Sequence, residues 1–287
     1  MQLVFGIFLI ANMNAFGNGS GIEVQGNLTL TNSRVHDNVG NGIDAVNSGA
    51  VFNIQNCEVY GNDTGIVIRQ GQVRDSRIYG NVHSGIYAPY LPVTLTGNTI
   101  YSNEYGVYSD AYAGGTFAVT NNLFYAHRVA ALRFTSFGPG AYDVFNNTLF
   151  EPTADGLFAS TADNVHLRNN IVWVQNGYGV RIANDSQNDF TSNFNLLYVT
   201  GTGKVGYWQG DRVTLTDWQF ANFRDGDSLS QNPLFVDADG ADGLLGASLT
   251  PGLTATFYIG NPLAALAGAP AVTRTDRQVN FSSFGVP

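Results

Sequence analysis

One phrase recurs along this chain at a nearly fixed interval, and it restricts the fold more than any other feature. Ser76-Arg77-Ile78-Tyr79-Gly80-Asn81 leads to Gly85-Ile86, and Asn98-Thr99-Ile100-Tyr101-Ser102-Asn103 leads to Gly106-Val107. The glycines of the two copies are 21 residues apart. Copies also run from Ser33 to Gly42-Ile43 and from Cys57 to Gly65-Ile66, with weaker ones at Asn121, Asn147, Asn170 and Asn195. A degenerate copy at Asn18 leads to Gly21-Ile22. A fixed period near twenty marks a stack of identical units, each unable to bury its own apolar face alone.

After each glycine the residues alternate. Ile22, Val24, Ile43, Ala45, Ile66, Ile68, Ile86, Ala88, Val107, Leu157, Val180 and Ile182 fall on one face of short strands. The glycine is expected to supply a positive φ at the strand entry. Asn38, Asn62, Asn81, Asn103 and Asn176 suit tight turns, where asparagine tolerates left-handed geometry and its amide can bond the adjacent coil. A second, inward polar ladder is expected from Ser33, Cys57, Ser76, Asn98, Asn121, Asn147, Asn170 and Asn195. Cys57 is then a small buried ladder member. Where the glycine is missing, Val129-Ala130 is read as its substitute.

These repeats resemble the right-handed parallel β-helix of the pectate-lyase-like superfold. The resemblance covers roughly residues 3–200 and implies an all-β solenoid of eight or nine coils. That fold carries lyases, hydrolases, epimerases, adhesins and stalks alike, so it does not fix an activity.

The expected organisation has three parts: a β-helix over 1–203, a closing segment over 204–250, and residues 251–287. In the second, Thr216-Asp217-Trp218 reads as a short capped helix with Trp218 and Ala221 inward, and Asn232-Pro233-Leu234-Phe235-Val236-Asp237 resembles the tail that closes such stacks. Asp237, Asp239 and Asp242 alternate with small residues and can wrap calcium, although the distal glutamate of a full calcium loop is missing. In the third, Gly252-Leu253-Thr254, Pro270-Ala271-Val272 and Val279-Asn280-Phe281 resemble the opening strands of a protective-antigen-type β-sandwich, which implies an extracellular, often glycan-binding module. The chain is accordingly expected to be a monomeric piece of a longer secreted or surface protein, beginning inside a solenoid.

The 287 residues carry a net charge of −9, which disfavours nucleic acid as a partner. No stretch is long and apolar enough for a membrane helix. On the outward strand face, Tyr87 and Tyr108 in neighbouring coils can stack on sugar rings, and Arg69, Arg133 and Arg181 can pair with uronate carboxylates. Counting from Val129-Ala130 puts Arg133 one coil beyond Asp110, as a surface ion pair of little worth. His36 occupies the slot that Tyr60, Tyr79 and Tyr101 fill in other coils, so it reads as structural. The Asp-Pro-His signature of the related alginate epimerases is absent, and no pair of carboxylates flanks a bond convincingly. The reading is therefore a non-catalytic glycan-binding or structural module. The alternative is a polysaccharide lyase or epimerase working on the same strand face or its long loops.

Overall fold

A computed structural model describes most of residues 2–235 and two short strands beyond them. The chain winds through three parallel sheets, one strand of each per coil. The first sheet runs from Gln2–Leu3 to Lys204–Tyr207, the second from Ile7–Ala11 to Thr191–Asn193, and the third from Asn14–Phe16 to Leu196–Val199. Asp211–Arg212 turns back and pairs antiparallel with the end of the first sheet. The short strands Tyr258–Ile259 and Val272–Thr273 pair antiparallel. The expected β-sandwich start otherwise lies outside the described residues, as do Asp237, Asp239 and Asp242.

The predicted inner face is the core. Ile22, Ile43, Ile66, Ile86, Val107, Leu157 and Val180 are fully buried or nearly so, in one column. Columns from the other two sheets, such as Val73-Leu95-Val119 and Ile78-Ile100-Phe124, close the interior against it.

Two buried polar ladders tie the coils together. In one, Asn38, Asn62 and Asn81 each send their backbone N–H and side-chain amide to the Oδ1 of the next asparagine, ending on Asn103. In the other, Ser33, Cys57, Ser76, Asn98, Asn122, Asn147, Asn170 and Asn195 lie along one corner, and Asn98, Asn122, Asn147 and Asn170 repeat the same double donation, ending on Asn195. These bonds satisfy backbone donors that have no water to turn to. Burial pushes the Cys57 thiol up to about 11, in keeping with an inert ladder position.

Three details differ from expectation. The left-handed residue is the one before each ladder member: Asp37, Gly61, Gly80 and Ser102 precede Asn38, Asn62, Asn81 and Asn103. By the same rule Asn121 is the left-handed corner and Asn122 the ladder member. Asn176 is exposed and belongs to neither ladder; it bonds the Pro152 carbonyl and Thr202. The corner between the second and third sheets follows this pattern too, with Asn12, Asn32, Asn56, Asp75, Gly97, Asn121, Asn146 and Asn169 all left-handed.

The strand-entry glycines are not needed for positive φ. A Cβ on Gly85 would lie 2.8 Å from the Gly106 carbonyl oxygen and 2.8 Å from the Asn103 amide nitrogen. The glycine makes room for the ladder. Gly85→Ala is therefore expected to destabilise by about 1–3 kcal/mol through overpacking, read as a lower denaturant midpoint. Gly80→Ala has open space around its Cβ and loses only the conformational preference at φ 62, so its midpoint should fall less.

The C-terminal end is closed by helix α1, Leu215–Asn222. Its N-cap is Thr214, in a capping box with Asp217, rather than Thr216 or Asp217. Trp218 is fully buried as expected, but its buried companion is Asn222, with Ala221 half-buried.

Candidate functional site

The outward face of the first sheet concentrates aromatic rings and guanidinium groups. Strand pairing sets one column: Tyr87 opposite Tyr108, then Arg133, Phe158, Arg181 and Tyr207. At about 4.8 Å per step the column is roughly 24 Å long.

The side chains pack along it. The Tyr87 and Tyr108 rings stack at 5.6 Å, and Tyr105 stacks on Tyr108 at 5.5 Å. Phe158 is held between two cations, with Arg133 Cζ 3.7 Å and Arg181 Cζ 4.2 Å from its ring centre. Arg181 also lies 5.3 Å from the Tyr178 ring and 5.9 Å from that of Tyr207. The Tyr87 hydroxyl donates to Asp110 Oδ2 at 3.0 Å. Burial, then this bond to a carboxylate, holds the Tyr87 hydroxyl well above the usual phenol range.

Arg133 donates through Nη2 to Ser160 Oγ at 3.0 Å, while its Nη1 is buried with no hydrogen-bond partner. Burial pulls its guanidinium down from the usual range. Asp110 Oδ1 is likewise buried and unpartnered. Asp155 accepts the Tyr178 backbone N–H at 2.8 Å and faces Arg181 at 3.6 Å, yet burial still pushes its carboxyl up.

Five of the six expected binding residues therefore share this face: Tyr87, Tyr108, Asp110, Arg133 and Arg181. Arg69 does not join them; it donates to the Ala45 carbonyl and packs over Tyr90 at 5.1 Å. The expected Asp110–Arg133 pair is not formed. Asp110 lies opposite Thr135, and Arg133 lies opposite Tyr108, two residues out of the assumed register. The glycine's true substitute is Ala131, whose carbonyl faces Gly106. Phe158, Tyr105, Tyr178, Tyr207 and Asp155 were absent from the expected set. A correct register would have pointed to Phe158, because it then lies between the two arginines.

The histidines stand apart from this face. His36 stacks between Phe16 at 5.2 Å and Tyr60 at 4.8 Å in an aromatic column on the third sheet, the structural role its slot implied. His83 faces Asp63, His166 faces Asp143, and His127 is buried against Glu151. Among the described residues no three histidine, cysteine or carboxylate side chains gather as a metal site, and no helix is long and apolar enough to cross a membrane.

No curated protein matches this sequence. Among solved structures, the complex of XylC with xylose is similar at 12% identity, with a TM-score of 0.48, over 86% of this chain and 57% of that one. Residues 65–220 match the family model of the right-handed β-helix region, which is more than half of the 287 residues. With its three parallel sheets and its ladders in register through that span, the chain belongs to the right-handed β-helix family.

Proposed function

We propose that the outward face of the first sheet binds an extended acidic polysaccharide without cleaving it, within an extracellular or surface-displayed protein. The observation that carries this reading is the column Tyr108-Arg133-Phe158-Arg181, one planar or cationic group per coil. Aromatic rings suit the apolar faces of sugars, and guanidinium groups suit their carboxylates. The net charge of −9 opposes a polyanion at long range, so the affinity rests on contacts within the column.

A lyase is the second reading, since Arg133 and Arg181 on this face can neutralise a uronate carboxylate while a base takes the neighbouring proton. Against it, the Arg133 guanidinium lies 3.7 Å from the Phe158 ring, a cation–π contact that keeps it charged and unsuited to be that base.

The test is affinity electrophoresis in polygalacturonate and in a neutral glucan, together with an ultraviolet absorbance assay for unsaturated product. Retardation by the acidic polymer alone, at least about tenfold weaker in Arg133→Ala/Arg181→Ala and without product, is the expected result. Product formation would replace the binding reading with the lyase reading. No retardation and no product would leave the face a purely structural surface.

A further inference from the structure

A second cleft lies where the closing segment meets the second and third sheets. Every earlier coil turns that corner on asparagine, aspartate or glycine, residue types that accept left-handed geometry. The next corner is Phe194, at φ 58. Phe223 ends α1 at φ 55, where glycine or asparagine is usual. Both rings are exposed, Phe194 by 46% and Phe223 by 83%. Two phenylalanines thus hold positions that oppose both their backbone preference and their hydrophobicity, and both line one open cleft of about 550 Å³. Two strained, exposed rings meeting in one cleft motivate a hypothesis of use.

Two guanidinium groups without ion-pair partners among the described residues, Arg168 and Arg224, line the cleft together with Asp225. Arg168 lies over the Phe194 ring at 4.8 Å and has no ion-pair partner among the described residues. Arg224 fixes its own position by donating to the Phe190 carbonyl at 3.0 Å. The nearby carboxylates are held by other partners and not by Arg168: Asp143 by His166, Asp225 by Trp218, Asn195 and Ser228, and Asp227 by Asn193. An extended peptide cannot add to the strand edge beside the cleft, because the Asp225 N–H already donates to the Ser192 carbonyl at 2.8 Å.

We propose that this cleft is a separate saccharide site for an anionic sugar ring, with Phe194 and Phe223 against its C–H faces and Arg168 on its carboxylate or sulfate. It does not depend on the first-sheet face, and the test removes that face. In the full chain carrying Arg133→Ala and Arg181→Ala, calorimetric titration with trigalacturonate, with a sulfated disaccharide and with maltotriose is the measurement. Binding of either acidic probe is expected, and the tighter one names the anionic group. Adding Phe194→Asn and Phe223→Gly should weaken that binding by about tenfold or more while the melting temperature stays level or rises, since the turn residues then suit the backbone. Arg168→Gln should remove the preference over maltotriose. The proposal is overturned if neither acidic probe binds the background variant, if Phe194→Asn/Phe223→Gly binds as before, or if that variant's melting temperature falls by more than about 5 °C, which would make the rings packing elements.

Discussion

Trp218→Ala is expected to lower stability by about 3–5 kcal/mol, the range for emptying a large buried aromatic site. Trp218 lies on the last coil of the first sheet: a Cβ on Gly206 would meet its ring at 2.4 Å. Its edge contacts Phe190 at 6.0 Å and Trp208 at 6.3 Å, and its Nε1 donates to Asp225 Oδ2 at 2.7 Å. Asp225 is itself buried, so the substitution opens a cavity and also deprives a carboxylate of a donor. In a solenoid each coil is stabilised by its neighbours, so the damage begins at the uncovered end. Hydrogen exchange should show protection lost first at Lys204–Tyr207 and Tyr178–Ile182, and light scattering should show self-association through the freed strand edge. Phe220→Ala, on the same helix but 81% exposed, should stay within about 0.5 kcal/mol. Equal losses in the two variants would mean that α1 stabilises the chain through its helix alone and not as a cover.

What the sequence revealed follows what repeats. The inner face was legible at Ile43, Ile66 and Ile86 because core packing imposes the same choice in every coil. The ladders were legible for the same reason. The roles of individual ladder neighbours were less so. Asn121 and Asn122 are the same residue type one position apart, and only the backbone tells the corner from the ladder. Glycine signals either positive φ or close approach, and only the second applies to Gly65 and Gly85. The outward register slips only in the coil after Tyr108, because Ala131 replaces the glycine there. A two-residue step preserves which side chains point outward but exchanges their neighbours, so Arg133 was assigned to Asp110 instead of to Tyr108 and Phe158. The cleft at Phe194 lay outside the repeat logic, being a departure from the pattern at one corner.

The same irregular coil carries the other large effect. Beyond Asn103 the asparagine ladder gives way to His127 and Glu151, both with fully buried side chains. Glu151 Oε2 accepts the His127 backbone N–H at 2.8 Å, and Oε1 lies 2.6 Å from Nδ1. Glu151→Ala strands both groups of His127 without water, so a loss of about 3–5 kcal/mol is expected, the cost of breaking a buried pair from one side. His127→Asn should behave differently. An asparagine there can give its backbone N–H and side-chain amide to Glu151, as Asn98 gives both to Asn122, and it removes the Nε2 atom that is buried without a partner. Its stability should stay within about 1 kcal/mol of the native chain. His127→Leu keeps the bulk but gives up the side-chain bond, and should fall between the two. Denaturant midpoints rank the three. The order alanine, leucine, asparagine from least to most stable identifies the ladder's hydrogen bonds as what this coil must preserve; equal losses in all three would assign the role to packing volume alone.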